Sequence, residues 1–235
     1  MSTTAKPLRR WIGAAIALPV ASYGVMIAAA RLGYGHPAVP RPEEADPLLD
    51  GYMPRYEIVE RHHIRVHAPA ELTLAAAATG VNLDDSPLIR AVFRLRELAL
   101  GSVPDPTVRP RGLVPLVQSL GWRLLAERPG KEMVFGAVTE PWKADVVFRP
   151  VDPDSFAAFR EPGHVKIAWT LRADPITARE SMFRTETRAV ATDEQARARF
   201  RRYWSFVSPG IVSIRWLLLG PLKREAERRA RLEFE

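Results

Sequence analysis

The sequence predicts an α+β fold in which a curved antiparallel sheet wraps one long C-terminal helix, preceded by an N-terminal transmembrane helix. Three observations carry that reading: an uncharged apolar run near the start, successive period-two segments through the middle, and a capped apolar helix at the end. In chain order they divide the 235 residues into a membrane anchor over 1–31, a proline-rich linker over 32–55 and a folded domain over 56–235.

Residues 11–30 read WIGAAIALPVASYGVMIAAA, a run of 20 without a charge. As a helix it rises roughly 30 Å, the thickness of a bilayer's hydrocarbon core. Gly13, Pro19 and Gly24 weaken a helix in water but are tolerated within a span. The run has no polar face, which argues against a helix on the surface of a soluble domain. Lys6, Arg9 and Arg10 precede it, whereas Glu43, Glu44, Asp46 and Asp50 follow soon after Arg31. The positive-inside rule therefore expects a single-pass protein of the cell membrane, its N-terminus cytoplasmic and its folded domain outside the cytoplasm. Ala28-Ala29-Ala30 also offers the small residues of a signal-peptide cleavage site, but the apolar stretch is long for a secretory signal. A retained anchor fits better.

Residues 32–55 hold Pro37, Pro40, Pro42, Pro47 and Pro54 with Gly33, Gly35 and Gly51, and read as an extended tether without regular structure. From Tyr56 to Val66 the residues alternate, with Ile58, Glu60, His62, Ile64 and Val66 on one face of a strand. His67-Ala68-Pro69-Ala70-Glu71 ends that strand and opens a short helix. Ser86-Pro87 marks the cap and first turn of a second helix, whose apolar stripe is Leu88, Ile89, Val92, Phe93 and Leu95 and which Gly101 stops. A proline-rich loop over 103–112 leads to a short helix near Leu113–Leu120. Strands are expected at Trp122–Glu127, Glu132–Thr139, Ala144–Phe148, Phe156–Phe159, His164–Ala173 and Ser181–Ala191, with Arg128-Pro129-Gly130-Lys131 as the clearest turn. Thr192-Asp193-Glu194 caps the long final helix, with Phe200, Tyr203, Trp204 and Val207 on its apolar side. Pro209-Gly210 is expected to kink or split it. Arg215 and a short apolar run argue against a second span over 204–219.

Composition narrows the function. With 47% hydrophobic and 26% charged residues the chain is globular rather than disordered. Its net charge of +7 is spread among acids instead of gathered into a footprint, so nucleic acid is not an expected partner. The absence of cysteine excludes disulfides, thiolate metal sites and cysteine nucleophiles. The sequence lacks the glycine-rich nucleotide loops, the Gly-x-Ser-x-Gly elbow and the His-Glu-x-x-His zinc motif. His62, His63 and His67 are the one histidine cluster; on a strand His63 and His67 lie about 13 Å apart. That spacing cannot close on one ion, so neither a metal nor a cofactor is expected.

The order of these elements resembles the START-like or SRPBCC superfamily (polyketide cyclase/Bet v 1-like), the helix-grip proteins. The opening strand running into His67–Glu71 is similar to the family's strand-to-helix signature, and Gly121-Trp122-Arg123-Leu124-Leu125 to its second hairpin. Pro162-Gly163-His164-Val165-Lys166-Ile167-Ala168-Trp169 resembles its late central strand. Thr185-Glu186-Thr187-Arg188 and Phe200-Arg201-Arg202-Tyr203-Trp204 resemble the last strand and final helix of bacterial members. The likeness spans roughly residues 56–230 and implies a cavity for a hydrophobic small molecule or lipid. It carries over no catalytic residue, and a membrane anchor departs from most members.

Trp169, Phe183, Thr185, Thr187, Tyr203 and Trp204 are the candidate ligand-binding residues, although aromatics at these periods are more often core than ligand contacts. Glu186 is the one candidate catalytic acid if it faces inward, where desolvation raises its pKa; the alternative is an ion pair with Arg184, Arg188 or Arg201. The expected function is a membrane-anchored, non-enzymatic binding protein for a hydrophobic molecule or lipid. A cyclase- or dehydratase-type enzyme, which needs polar groups converging in the cavity, is one alternative. An envelope scaffold for a partner protein of unknown kind is the other.

Overall fold

Two periodicities in the sequence build two layers. The period-two segments become strands, and the 3.6-period segment after Asp193 becomes a helix that closes one face of their sheet. The computed structural model describes residues 22–82, 86–101 and 110–234. In chain order it contains helix α1 over 22–33, a 3-10 turn Pro42–Glu44, α2 Pro47–Tyr52, β1 Ile58–Val66, α3 Ala70–Thr79, α4 Pro87–Leu100 and α5 Leu113–Ser119. Then follow β2 Arg123–Arg128, β3 Glu132–Thr139, β4 Phe148–Arg149, α6 Pro153–Phe156, β5 Val165–Thr177, β6 Glu180–Ala191 and α7 Glu194–Phe234. The six strands form one antiparallel sheet in the order β1-β6-β5-β3-β2, with β4 on the end of β3. This is the α+β arrangement expected from the sequence.

Register decides which residues face α7. Ile64 pairs with Phe183, and Trp169 with both Thr187 and Phe135. Ile64, Phe183, Trp169 and Phe135, with Val66 and Leu171, pack against Leu219, Leu222 and Ala226 of α7 and against α3. Toward the start of α7 a second cluster joins Phe200 and Trp204 to Ile58, Val165, Ala189 and Tyr34. Asp193 fixes where α7 begins: its carboxylate accepts from the Ala196 amide at 2.8 Å and also from the Gly163 amide. Pro209 does not split the helix, which runs unbroken over 41 residues. Packing on the sheet at both ends outweighs the one backbone bond the proline removes.

The opposite face is covered by the segment expected to be a tether. Instead of an extended linker, residues 42–53 form a turn and a helix strapped over the sheet. Asp46 caps α2 by accepting from the Leu49 amide at 2.8 Å, and Leu49 and Met53 are fully buried against Leu125, Val134, Phe156 and Ala168. The prolines sit where helices start, Pro42 and Pro47 at the first turns, so they shape the strap without preventing it. Arg172 ties the strap down through the Ala45 and Glu43 carbonyls. Gly136 admits Phe156, whose ring lies 2.6 Å from where a Cβ would be.

Three further expectations change. Phe156–Phe159 is not a strand: Pro153 starts the short helix α6, and Lys166 holds it by donating to the Phe156 and Ala157 carbonyls at 2.9 and 3.0 Å. Of Ala144–Phe148 only Phe148 pairs, within β4. Leu95 on α4 is exposed, while Ile89 is buried; the side chains of Leu88, Val92 and Phe93, most of the 103–112 loop and residues 11–21 of the anchor run lie outside the described residues. Residues 22–30 of that run are helical. Among the described residues α7 is the one helix long and apolar enough to cross a membrane.

Candidate functional site

The alternation of β1 places a charged residue and a histidine on an otherwise apolar face. Glu60 and His62 point toward the middle of α7, between the two clusters that clamp its ends. Glu60 lies opposite Thr187, and His62 opposite Thr185. His62 is 4% exposed, yet neither ring nitrogen has a hydrogen-bond partner, and Thr187 Oγ1 has none either. The indole of Trp216 meets the His62 ring edge-on at 5.3 Å. Arg215 is half-buried nearby, with no hydrogen bond or ion pair among the described residues.

Burial and charge set the protonation states. Burial, aided by the Arg215 and His63 charges, pulls the His62 imidazole down to about 4, so it is neutral at physiological pH. Burial pushes the Glu60 carboxyl above the ordinary carboxylate range, with Arg215 opposing. His62 and Thr187 therefore hold buried polar atoms without hydrogen-bond partners next to the Glu60 and Arg215 charges, a costly arrangement that ordinary packing does not require.

A cleft leads to this cluster. It encloses about 310 Å³ between α1, the first half of β1 and the middle of α7. Met26, Ala29, Ile58, Trp204, Pro209 and Val212 give it apolar walls, and His36, Glu57, Glu60 and Ser208 supply polar groups. The volume sits at the low end for small-molecule sites, and the composition is typical of them. The helix α1 is part of the wall: Tyr23 Oη donates to the Phe206 carbonyl at 2.5 Å, and Arg201 donates to the Arg31 carbonyl.

Of the residues singled out from the sequence, Trp204 lines the cleft and Thr187 faces the polar cluster. Trp169 stacks on Phe135 at 4.8 Å, and Phe183 is buried beside it, both in the packed core. Thr185 Oγ1 donates to the Thr170 carbonyl at 2.6 Å, and Tyr203 stacks on Phe200 at 6.4 Å. Glu186 lies on the outer face, away from α7, between Arg61 at 2.9 Å and Arg188 at 2.6 Å. His67 is exposed and bonded to Glu180. Among the described residues no group of three or more histidines and acids is placed to hold a metal.

Sequence reasoning missed Glu60, Arg215 and the contribution of α1. The signal for Glu60 is present: it interrupts the apolar face of β1, as does His62, which the structure buries rather than leaving at the surface. Arg215 was weighed only as an obstacle to membrane insertion.

No family model and no curated protein matches this chain. Among solved structures, a protein from Thermobifida fusca superposes with a TM-score of 0.31 at 18% identity, covering 74% of this chain and 95% of its own. A conserved protein from Geobacillus kaustophilus gives 0.30 at 8% identity, over 74% and 95%. The Zhui aromatase/cyclase from Streptomyces sp. R1128 gives 0.24 at 14% identity, over 73% and 94%. Superpositions this loose carry no argument about chemistry or ancestry.

Proposed function

We propose that this chain is a membrane-anchored binding protein for a hydrophobic small molecule or lipid, held to a cell membrane by residues 11–30 with the folded domain outside the cytoplasm. The observation that carries the binding reading is the apolar cleft between α1, β1 and α7 with Glu60 at its inner side. Its walls suit a hydrocarbon body, and the half-buried Glu60 carboxyl offers a hydrogen-bonding group to one polar end.

The test is a titration of the full chain in detergent micelles with a fluorescent amphiphile. Ala29 is an exposed residue of α1 on the cleft wall, so Ala29→Trp narrows the cleft without touching the core. Saturable binding that weakens at least tenfold in Ala29→Trp supports the reading, and binding indifferent to the substitution removes it.

A second reading, a cyclase- or dehydratase-type enzyme on a bulky apolar substrate, is favoured by one observation, the convergence of Glu60, His62 and Arg215. The protonation states weigh against it. An imidazole held near 4 is a weak proton acceptor at neutral pH, where a general base works best with a pKa near the ambient value. Turnover of a bound apolar ligand, lost in His62→Gln while binding persists, would establish the enzyme instead.

A further inference from the structure

The outer side of α7 has a charge pattern that the sheet-facing side does not explain. At 3.6 residues per turn, Arg199, Arg202, Phe206, Ser213, Leu217, Arg224 and Arg228 fall within about 40° of one line along the helix. All seven are exposed. The stripe is thus cationic at both ends and uncharged for about 16 Å in the middle, from Phe206 to Leu217. Trp216, 59% exposed, flanks it.

Helix α1 packs beside residues 201–206 of α7 and reaches the start of this apolar middle. The Tyr23–Phe206 and Arg31–Arg201 contacts make the two helices antiparallel, so α1 read back toward residue 22 points along α7 toward Leu217. Within α1 the apolar residues Tyr23, Val25, Met26, Ala28, Ala29 and Leu32 are all exposed. A helix that leaves its apolar residues in water on nearly every side is not at home in water. It is also the end of the uncharged 20-residue run.

We infer that α1 and the Phe206–Leu217 stretch of α7 form one lipid-facing surface, seated in an anionic bilayer with Arg199, Arg202 and Arg224 at the phosphate headgroups. Helices lying in the interface combine these features, an apolar strip in the acyl boundary and arginines reaching the headgroups. A second copy of the chain is a poor occupant. Pairing the stripe with itself across a two-fold axis brings arginines against arginines, whichever way the helices run. The surface also bounds the cleft, whose Met26 and Ala29 wall belongs to α1, so a ligand enters from the bilayer rather than from water.

This inference rests on the membrane anchoring proposed above, and one experiment separates the two. The full chain carrying Trp11→Phe is reconstituted into phosphatidylcholine vesicles, with and without phosphatidylglycerol, whose acyl chains are brominated at shallow or deep positions. Flotation reads the anchor; tryptophan quenching reads the surface. The inference expects quenching by the shallow bromines, most of it lost in Trp216→Phe and greater with phosphatidylglycerol. Arg202→Gln with Arg224→Gln abolishes that phosphatidylglycerol dependence. As a check that does not depend on Trp216, an environment-sensitive dye on Leu217→Cys, the only thiol in the chain, shifts to the blue on vesicles. Floating protein with unquenched Trp216 and an unshifted dye overturns the lipid-facing surface alone. Protein that does not float overturns the anchor as well.

Discussion

Glu60 Oε2 lies 3.7 Å from His62 Nε2 on the strand face beneath α7, yet the imidazole has no hydrogen bond. A buried, unpartnered imidazole beside a half-buried acid destabilises the fold by the desolvation of both, which makes this pair the clearest sign that the interior is built for something besides packing.

His62 gives the fold an acid-sensitive limb. Its folded pKa, near 4, lies below the ordinary histidine value, so the unfolded chain binds the proton more readily. The stability is full above about pH 6.5 and falls as the pH drops toward 4. His62→Phe, which keeps the contact with Trp216, removes this part of the slope. Thermal melts across that window check it, and equal slopes in both proteins would contradict it.

Glu132 does the reverse at higher pH. Burial and the neighbouring Asp46 push its carboxyl up to about 8, against the pull of Arg172 and Arg128. The folded state holds a proton that the unfolded state releases near its ordinary value, so stability falls as the pH rises from about 4.5 through 8. Glu132→Gln flattens this decline and raises stability at pH 8 by about 1–2 kcal/mol, read from urea unfolding at the two ends of the range.

Arg188 is the pin of the outer face. It is 2% exposed and reaches Glu186 and Asp50 at 2.6 Å and the Met53 carbonyl at 2.8 Å, with its guanidinium over the Tyr56 ring. Arg188→Ala leaves the buried Met53 carbonyl without its donor and Glu186 with Arg61 alone, and should destabilise by about 2–3 kcal/mol. The strap over 42–53 is the first part to loosen, so limited proteolysis should cut there before the sheet unfolds.

The main strands and both helix caps were legible in the sequence because their signals are local. Ser86 and Asp193 accept from amides three residues on, and Gly130 takes the positive φ its turn needs. What was not legible depends on distant partners. The prolines of residues 32–55 signal an absence of regular structure only if nothing waits to bury Leu49 and Met53. The sheet's outer face does so, through Leu125, Val134 and Phe156. Glu186 looked catalytic because the strand's inward face could not be fixed from the sequence, and a shift of one residue reverses it. Register with Arg61 places it outside. The cleft was hidden for the same reason, since its walls come from residues as far apart as Met26 and Val212.

The central claim is that the cleft holds an amphiphile drawn from the membrane. The most direct measurement is native mass spectrometry of the full chain extracted from membranes in mild detergent, followed by identification of whatever it releases. The account predicts one bound amphiphile per chain, retained by the wild type and absent from Ala29→Trp. A chain that emerges empty from both preparations, or that carries the same lipid in both, would contradict it.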